Sequence, residues 1–310
     1  MLLCLAALAA SPAPAAPDRP PAPKRDLALG VARFYFAQGH YLNAAAALSA
    51  ETLPDWAEQP ERHSLLLGRT YLKLGLRRDA RSLLQDLLAA QPPPQVRVQA
   101  AFYLGRLYLQ RGRQREAAEL FTHNPDVTPP AREAQRLYLL SQAYLGQGAF
   151  GQAERTLRIL AASPTPGDAP DWAQVGRYNL AMALLDAGRL SDARRALLPL
   201  GKPAENGSDP SELDTAALRD QANLALGYAE LRAHQPDQAL PALRRVRLHG
   251  PAADGALLAL GWGEHRRAKP RQALVAWLEL THRSAAEPAV QGPCCPSPRS
   301  WRRSARGARP

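Results

Sequence analysis

The chain has 310 residues and a formal net charge of +11, with 46% hydrophobic but only 6% aromatic residues. Ala and Leu dominate the apolar set, which suits close helix-on-helix packing and argues against a strand-rich fold. The three cysteines, Cys4, Cys294 and Cys295, leave the body of the chain without a disulfide. With neither CxxC pairs nor HExxH and with scattered histidines, no metal site is expected.

The charge looks like a nucleic-acid signal until it is located. Arg299, Arg302, Arg303, Arg306 and Arg309 carry five of the eleven units, and 35 of the 39 basic residues are Arg. Abundant Arg, Ala, Pro and Gly together point to a GC-rich genome, so codon bias accounts for part of the charge. Nucleic acid is not the expected partner.

Residues 1–26 open with the apolar run MLLCLAALAA, followed by SPAPAAPDRPPAPKR. This reads as a truncated or atypical export signal plus a Pro/Ala-rich linker, with a cytoplasmic leader as the alternative. No Lys or Arg precedes the run. Spanning a membrane takes about 20 apolar residues, so no transmembrane helix is expected.

From Leu27 to Gln291 one register recurs. Leu67-Gly68, Tyr71, Gly75, Ala80 and Leu84 reappear as Leu104-Gly105, Tyr108, Gly112, Ala117 and Phe121. Aligned on the Gly that ends each first helix, seven helix pairs follow one another, with turns at Gly39, Gly75, Gly112, Gly148 and Gly188, then His234 and Ala268. The spacings are 36, 37, 36, 40, 46 and 34 residues, the excess falling in SPTPGDAPDW and LGKPAENGSDPS, which lengthen loops between pairs.

Each register position has a mechanical reason. A left-handed turn residue reverses the chain at low steric cost when it is Gly. Five residues on stands Ala44, Ala80, Ala117, Ala153, Ala193, Ala239 or Ala273, where two helices must approach closely. Four further on is a bulky apolar residue, Leu48, Leu84, Phe121, Leu157, Leu197, Leu243 or Trp277, on the same helical face.

On these residues, and on Pro92 closing the unit that begins at Leu65, the chain resembles the tetratricopeptide repeat family, bacterial and exported on this reading. The departures are Ala181 and Leu184 in the fifth unit, and Pro236 and Pro270 two residues past the last turns. The resemblance implies an all-α, right-handed superhelical solenoid of about seven units, covering residues 27–291. It also implies a concave groove lined by first helices that takes an extended peptide or helix of a partner protein. No enzyme activity and no cofactor are implied.

After Gln291 the periodicity stops, and residues 292–310 read as a disordered basic tail. A shifted reading frame of GC-rich DNA would yield this mixture of Pro, Arg, Ser and vicinal Cys; a native tail is the alternative.

In the family's register the inward positions are Arg33, Arg69 and Arg106, then Gln142, Met182, Tyr228 and Trp262, with Phe102, Tyr138 and Tyr178 one turn earlier. That groove would run from Arg-rich to aromatic, apt for a partner segment with an acidic half and an apolar half. Packing between adjacent first helices is the competing explanation. A peptide-carboxylate clamp is not supported, since Asn179 is the only Asn near the required register.

Two further features are weighed. Gly146 to Gly151 matches GxGxxG, but Gly148 is a turn residue preceded by a helix, which removes the nucleotide reading. Arg77, Arg78, Arg113, Arg115, Arg189, Lys269 and Arg271 form a basic stripe at the turns, suited to peripheral contact with an anionic membrane surface, although solvated turns are the commoner reason for such charge. The alternative function is accordingly a basic solenoid that binds a polyanion: RNA, acidic polysaccharide or anionic lipid.

Overall fold

The computed structural model describes residues 27–49, 60–122, 130–163, 171–202 and 212–283. The expectations for the leader over 1–26 and the tail over 292–310 lie outside them. Every regular element described is an α-helix. The helices group into two units, one ending at Pro92 and one beginning at Pro93.

In the first unit, α1 (Leu27–Ala37) pairs with α2 (Tyr41–Ser49), and α3 (Pro60–Lys73) pairs with α4 (Arg77–Ala89). Leu29, Ala32, Leu48 and Leu66 form its buried cluster, which Phe36 and Leu67 flank.

The second unit repeats that pairing. Its elements are α5 (Pro94–Gln110) with α6 (Gln114–Thr122), α7 (Pro130–Gly146) with α8 (Phe150–Ala162), and α9 (Trp172–Asp186) with α10 (Leu190–Leu200). Then come α11 (Glu212–Arg232) with α12 (Pro236–Leu243), and α13 (Ala253–Arg266) with α14 (Pro270–Thr281). Helices α8 and α9 pack together, as do α10 and α11, so the longer connections do not interrupt stacking.

The turn chemistry is uniform. Gly39, Gly75, Gly112, Gly148 and Gly188 all have φ between 69° and 80°, and the degenerate positions follow suit, with His234 at 60° and Ala268 at 58°. Each turn closes by the same two hydrogen bonds. In the second pair Gly75 N donates to Leu72 O and Leu76 N donates to Tyr71 O at 2.9 Å; in the last, Ala268 N donates to His265 O and Lys269 N to Glu264 O at 3.0 Å. The left-handed residue thus satisfies carbonyls that the helix end would otherwise leave bare.

Side-chain sizes are set by the approach of each pair. Ala44, Ala80, Ala117, Ala153, Ala193, Ala239 and Ala273 are all fully buried, and so nearly are Leu84, Phe121, Leu197 and Leu243. Burying one such Leu contributes about 1.5–3 kcal/mol. Trp277 is only half-buried. Pro236 and Pro270 stand at the first position of α12 and α14, where a missing N–H leaves no helical bond unmade, so these departures fit the architecture.

Candidate functional site

Within the second unit the first helices α5, α7, α9, α11 and α13 touch in succession. One residue on each faces the bulky side chain of its own second helix. A methyl group added at Gly105 would lie 2.7 Å from Phe121, and one added at Gly261 would lie 1.9 Å from Trp277 Nε1. The following residue, about 100° further round the helix, belongs to a different face. That position is Arg106, Gln142, Met182, Tyr228 and Trp262.

These five keep solvent access. Arg106 is exposed, Gln142, Met182 and Trp262 are half-buried, and Tyr228 is 40% exposed. Tyr228 Oη donates to Gly255 O of α13 at 3.1 Å, so its ring is anchored between neighbouring first helices. Gln142 Nε2 is buried and has no hydrogen-bond partner. Trp262 stacks edge-on against Trp277, the bulky register residue of α14, at 5.3 Å and against His265, which had no assigned role from sequence, at 5.9 Å.

The residues one turn earlier behave differently. Phe102 is 5% exposed, its ring edge-on to Phe121 at 6.3 Å, with the Arg106 and Arg132 guanidiniums 5.9 Å and 5.8 Å from it. It packs between helices and offers little open surface. Tyr138 of α7 lies against Trp172 of α9 at 4.8 Å and accepts a hydrogen bond from Asn179 Nδ2 at 3.1 Å. Asn179 therefore ties two first helices together. Tyr178 packs on the buried cluster of Ala181, Leu197, Leu200 and Leu226. Burial raises the phenol pKa of both Tyr178 and Tyr228, because an apolar surrounding disfavours the phenolate.

Arg33 and Arg69 belong to the first unit. Arg33 is exposed on α1; Arg69 of α3 lies over the Phe36 ring of α1 at 4.8 Å.

Two buried acids mark a place where the sequence pattern shifts. The position three past the small residue is Tyr35, Tyr71, Tyr108 and Tyr144 in four pairs, Leu184 in the fifth, and Glu230 and Glu264 in the last two. Glu230 and Glu264 are 1% and 4% exposed. Arg194 approaches Glu230 at 3.3 Å, while Arg244 holds Glu264 at 2.6 Å. Each arginine comes from the second helix of the preceding pair or its end, so a charge pair joins successive pairs where the other copies carry Tyr or Leu. Aligning the seven copies shows the Tyr-to-Glu change, but not the arginine that meets it.

The basic stripe at the turns is partly neutralised. Arg113 pairs with Glu116 at 2.8 Å and stacks over Tyr108 at 4.3 Å; Arg189 pairs with Asp192 at 2.5 Å and lies over Phe150 at 5.3 Å. The guanidinium hydrogen bond from Arg189, with further charge from Arg195, lowers the Asp192 pKa. Arg77, Arg78, Arg115, Lys269 and Arg271 are exposed. Among the described residues no group of three or more His, Cys, Asp or Glu is placed to hold a metal ion, and no helix is long and apolar enough to cross a membrane.

Residues 65–122 match the tetratricopeptide repeat family model. That segment carries tetratricopeptide repeats. Solved structures extend the likeness in fold beyond that segment. The C-terminal part of a tetratricopeptide repeat-containing protein from Cytophaga hutchinsonii is 15% identical, with a TM-score of 0.59 over 85% of this chain and 98% of that one. The apo form of RapI is 13% identical, with a TM-score of 0.56 over 83% and 75% of the two chains. A tetratricopeptide repeat protein from Parabacteroides merdae is 13% identical, with a TM-score of 0.51 over 86% and 95%. At these identities the shared property is the fold. No curated protein sequence matches the chain.

The fold accounts for the GxGxxG match. Gly148 is the left-handed turn residue between α7 and α8, and no strand precedes it.

Proposed function

We propose that this tetratricopeptide-repeat protein is a non-catalytic interaction scaffold. Its binding face is the row of first helices in the second unit, and its ligand is an extended segment or a helix of a partner protein. The observation that carries this reading is the run of Arg106, Gln142, Met182, Tyr228 and Trp262. One register position on five successive helices keeps solvent access while the residue before it is buried. Anchored aromatic rings that keep solvent access give contact area at low entropic cost. Arg106 at one end favours an acidic residue in the partner segment.

The test is capture of peptides from a random-sequence display library by the full chain, followed by titration of the selected peptides. Replacing Tyr228 and Trp262 by Ala should weaken binding about tenfold or more, as expected for interface hot spots. Polyanion binding that falls steeply with salt, together with no selected peptide, would favour the basic-solenoid alternative instead.

A further inference from the structure

A second site lies away from the first-helix row. Between the two second helices α8 and α10, with α9 as floor, is a cleft of about 410 Å³. Its floor is apolar: Leu157, Leu180 and Leu184 line it and are each at most 5% exposed. Its walls carry four arginines, Arg158, Arg177, Arg189 and Arg195, against two carboxylates, Glu154 and Asp192.

The carboxylates are already engaged. Arg189 and Arg195 share Asp192, and Arg158 reaches Glu154 at 3.4 Å in a pair open to solvent on both sides. Arg177 is half-buried beside Leu180 on α9, and among the described residues it has neither an ion-pair nor a hydrogen-bond partner. Four guanidiniums facing two carboxylates leave two uncompensated positive charges at the mouth of an apolar cleft. A guanidinium partly withdrawn from water, with its hydrogen-bonding fork unused, attracts an oxyanion more strongly than a solvated one does. The volume lies in the range of about 300–1,000 Å³ typical of small-molecule sites.

We propose that this cleft binds a small organic anion with an apolar body. The carboxylate or phosphate of the ligand is held by Arg177, with Arg158 and Arg195 at the rim. Its hydrocarbon portion lies on Leu157, Leu180 and Leu184. The planar fork of Arg177 accepts either oxyanion in a bidentate fashion, so the shared chemistry is an oxyanion head on an apolar chain. This site is independent of the partner-binding row, since none of its residues belongs to that row.

The test is calorimetric titration of the full chain with four probes: octanoate, octyl phosphate, octanamide and inorganic phosphate. Octanoate or octyl phosphate should bind, and whichever is tighter names the headgroup. Octanamide, which keeps the chain without the charge, and inorganic phosphate, which keeps the charge without the chain, should each bind about tenfold or more weakly. Arg177→Ala and the neutral polar variant Arg177→Gln should each lower affinity about tenfold, with unchanged helicity, while Arg155→Ala, on an exposed α8 residue outside the cleft, should not. Equal binding of octanamide and octanoate, full affinity in both Arg177 variants, or no binding of any probe at millimolar concentration would overturn the proposal.

Discussion

Gly227 of α11 lies under Leu243 of α12 so closely that a methyl group on it would sit 2.3 Å from Leu243 Cδ2. The same relationship joins Gly68 to Leu84, Gly105 to Phe121 and Gly261 to Trp277, in each case sixteen residues apart. A first helix gives up a side chain so that the bulky residue of its second helix can reach its backbone. Gly227→Ala should therefore destabilise the protein by about 1–3 kcal/mol despite the better helix propensity of Ala. In the Leu243→Ala background the same change should cost much less. Urea denaturation of the two single variants and the double variant measures the coupling, and strictly additive effects would contradict the close contact.

The two turns without glycine hold strain. His234 and Ala268 have φ of 60° and 58°, where a Cβ meets the following carbonyl. Ala268→Gly and His234→Gly should each stabilise by about 1 kcal/mol, and Gly188→Ala should cost a similar amount. Thermal melts of the three variants check both signs.

Phe102 and Arg106 are one turn apart on α5 and separate stability from binding. Phe102→Ala should cost about 3–5 kcal/mol, because the ring is buried against Phe121. Arg106→Ala, on an exposed side chain, should change stability by less than about 0.5 kcal/mol and act on partner affinity instead. Denaturation midpoints and peptide titrations on the same two variants distinguish the roles.

Tyr228 yields a prediction at alkaline pH. Burial raises its phenol pKa above the ordinary 10.0, so the folded state keeps the proton longer than the unfolded one. The associated stability is fully present below pH 10 and is lost as pH rises from there through the folded-state pKa. Tyr228→Phe also loses the hydrogen bond to Gly255 O, so it should be less stable at neutral pH and show a shallower alkaline decline. Comparison of urea midpoints at neutral pH and above pH 10 tests this, and parallel declines would refute it.

The amino-acid sequence by itself determined the repeat register. Turn reversal, close approach at Ala and the covering bulky residue are properties of one helix pair, each set within about twenty residues of chain. Even the degenerate turns at His234 and Ala268 take the left-handed conformation that alignment to the glycines implies. What tertiary structure alone decided is everything that depends on the next helix along. Phe102 turns inward while Arg106 remains exposed because α6 supplies Phe121 to cover the ring. Glu230 and Glu264 are buried opposite Arg194 and Arg244, which arrive from the preceding pair. Arg177, one of many arginines in the sequence, is set apart by the gap between α8 and α10, which no local pattern encodes because its walls come from three separate helices.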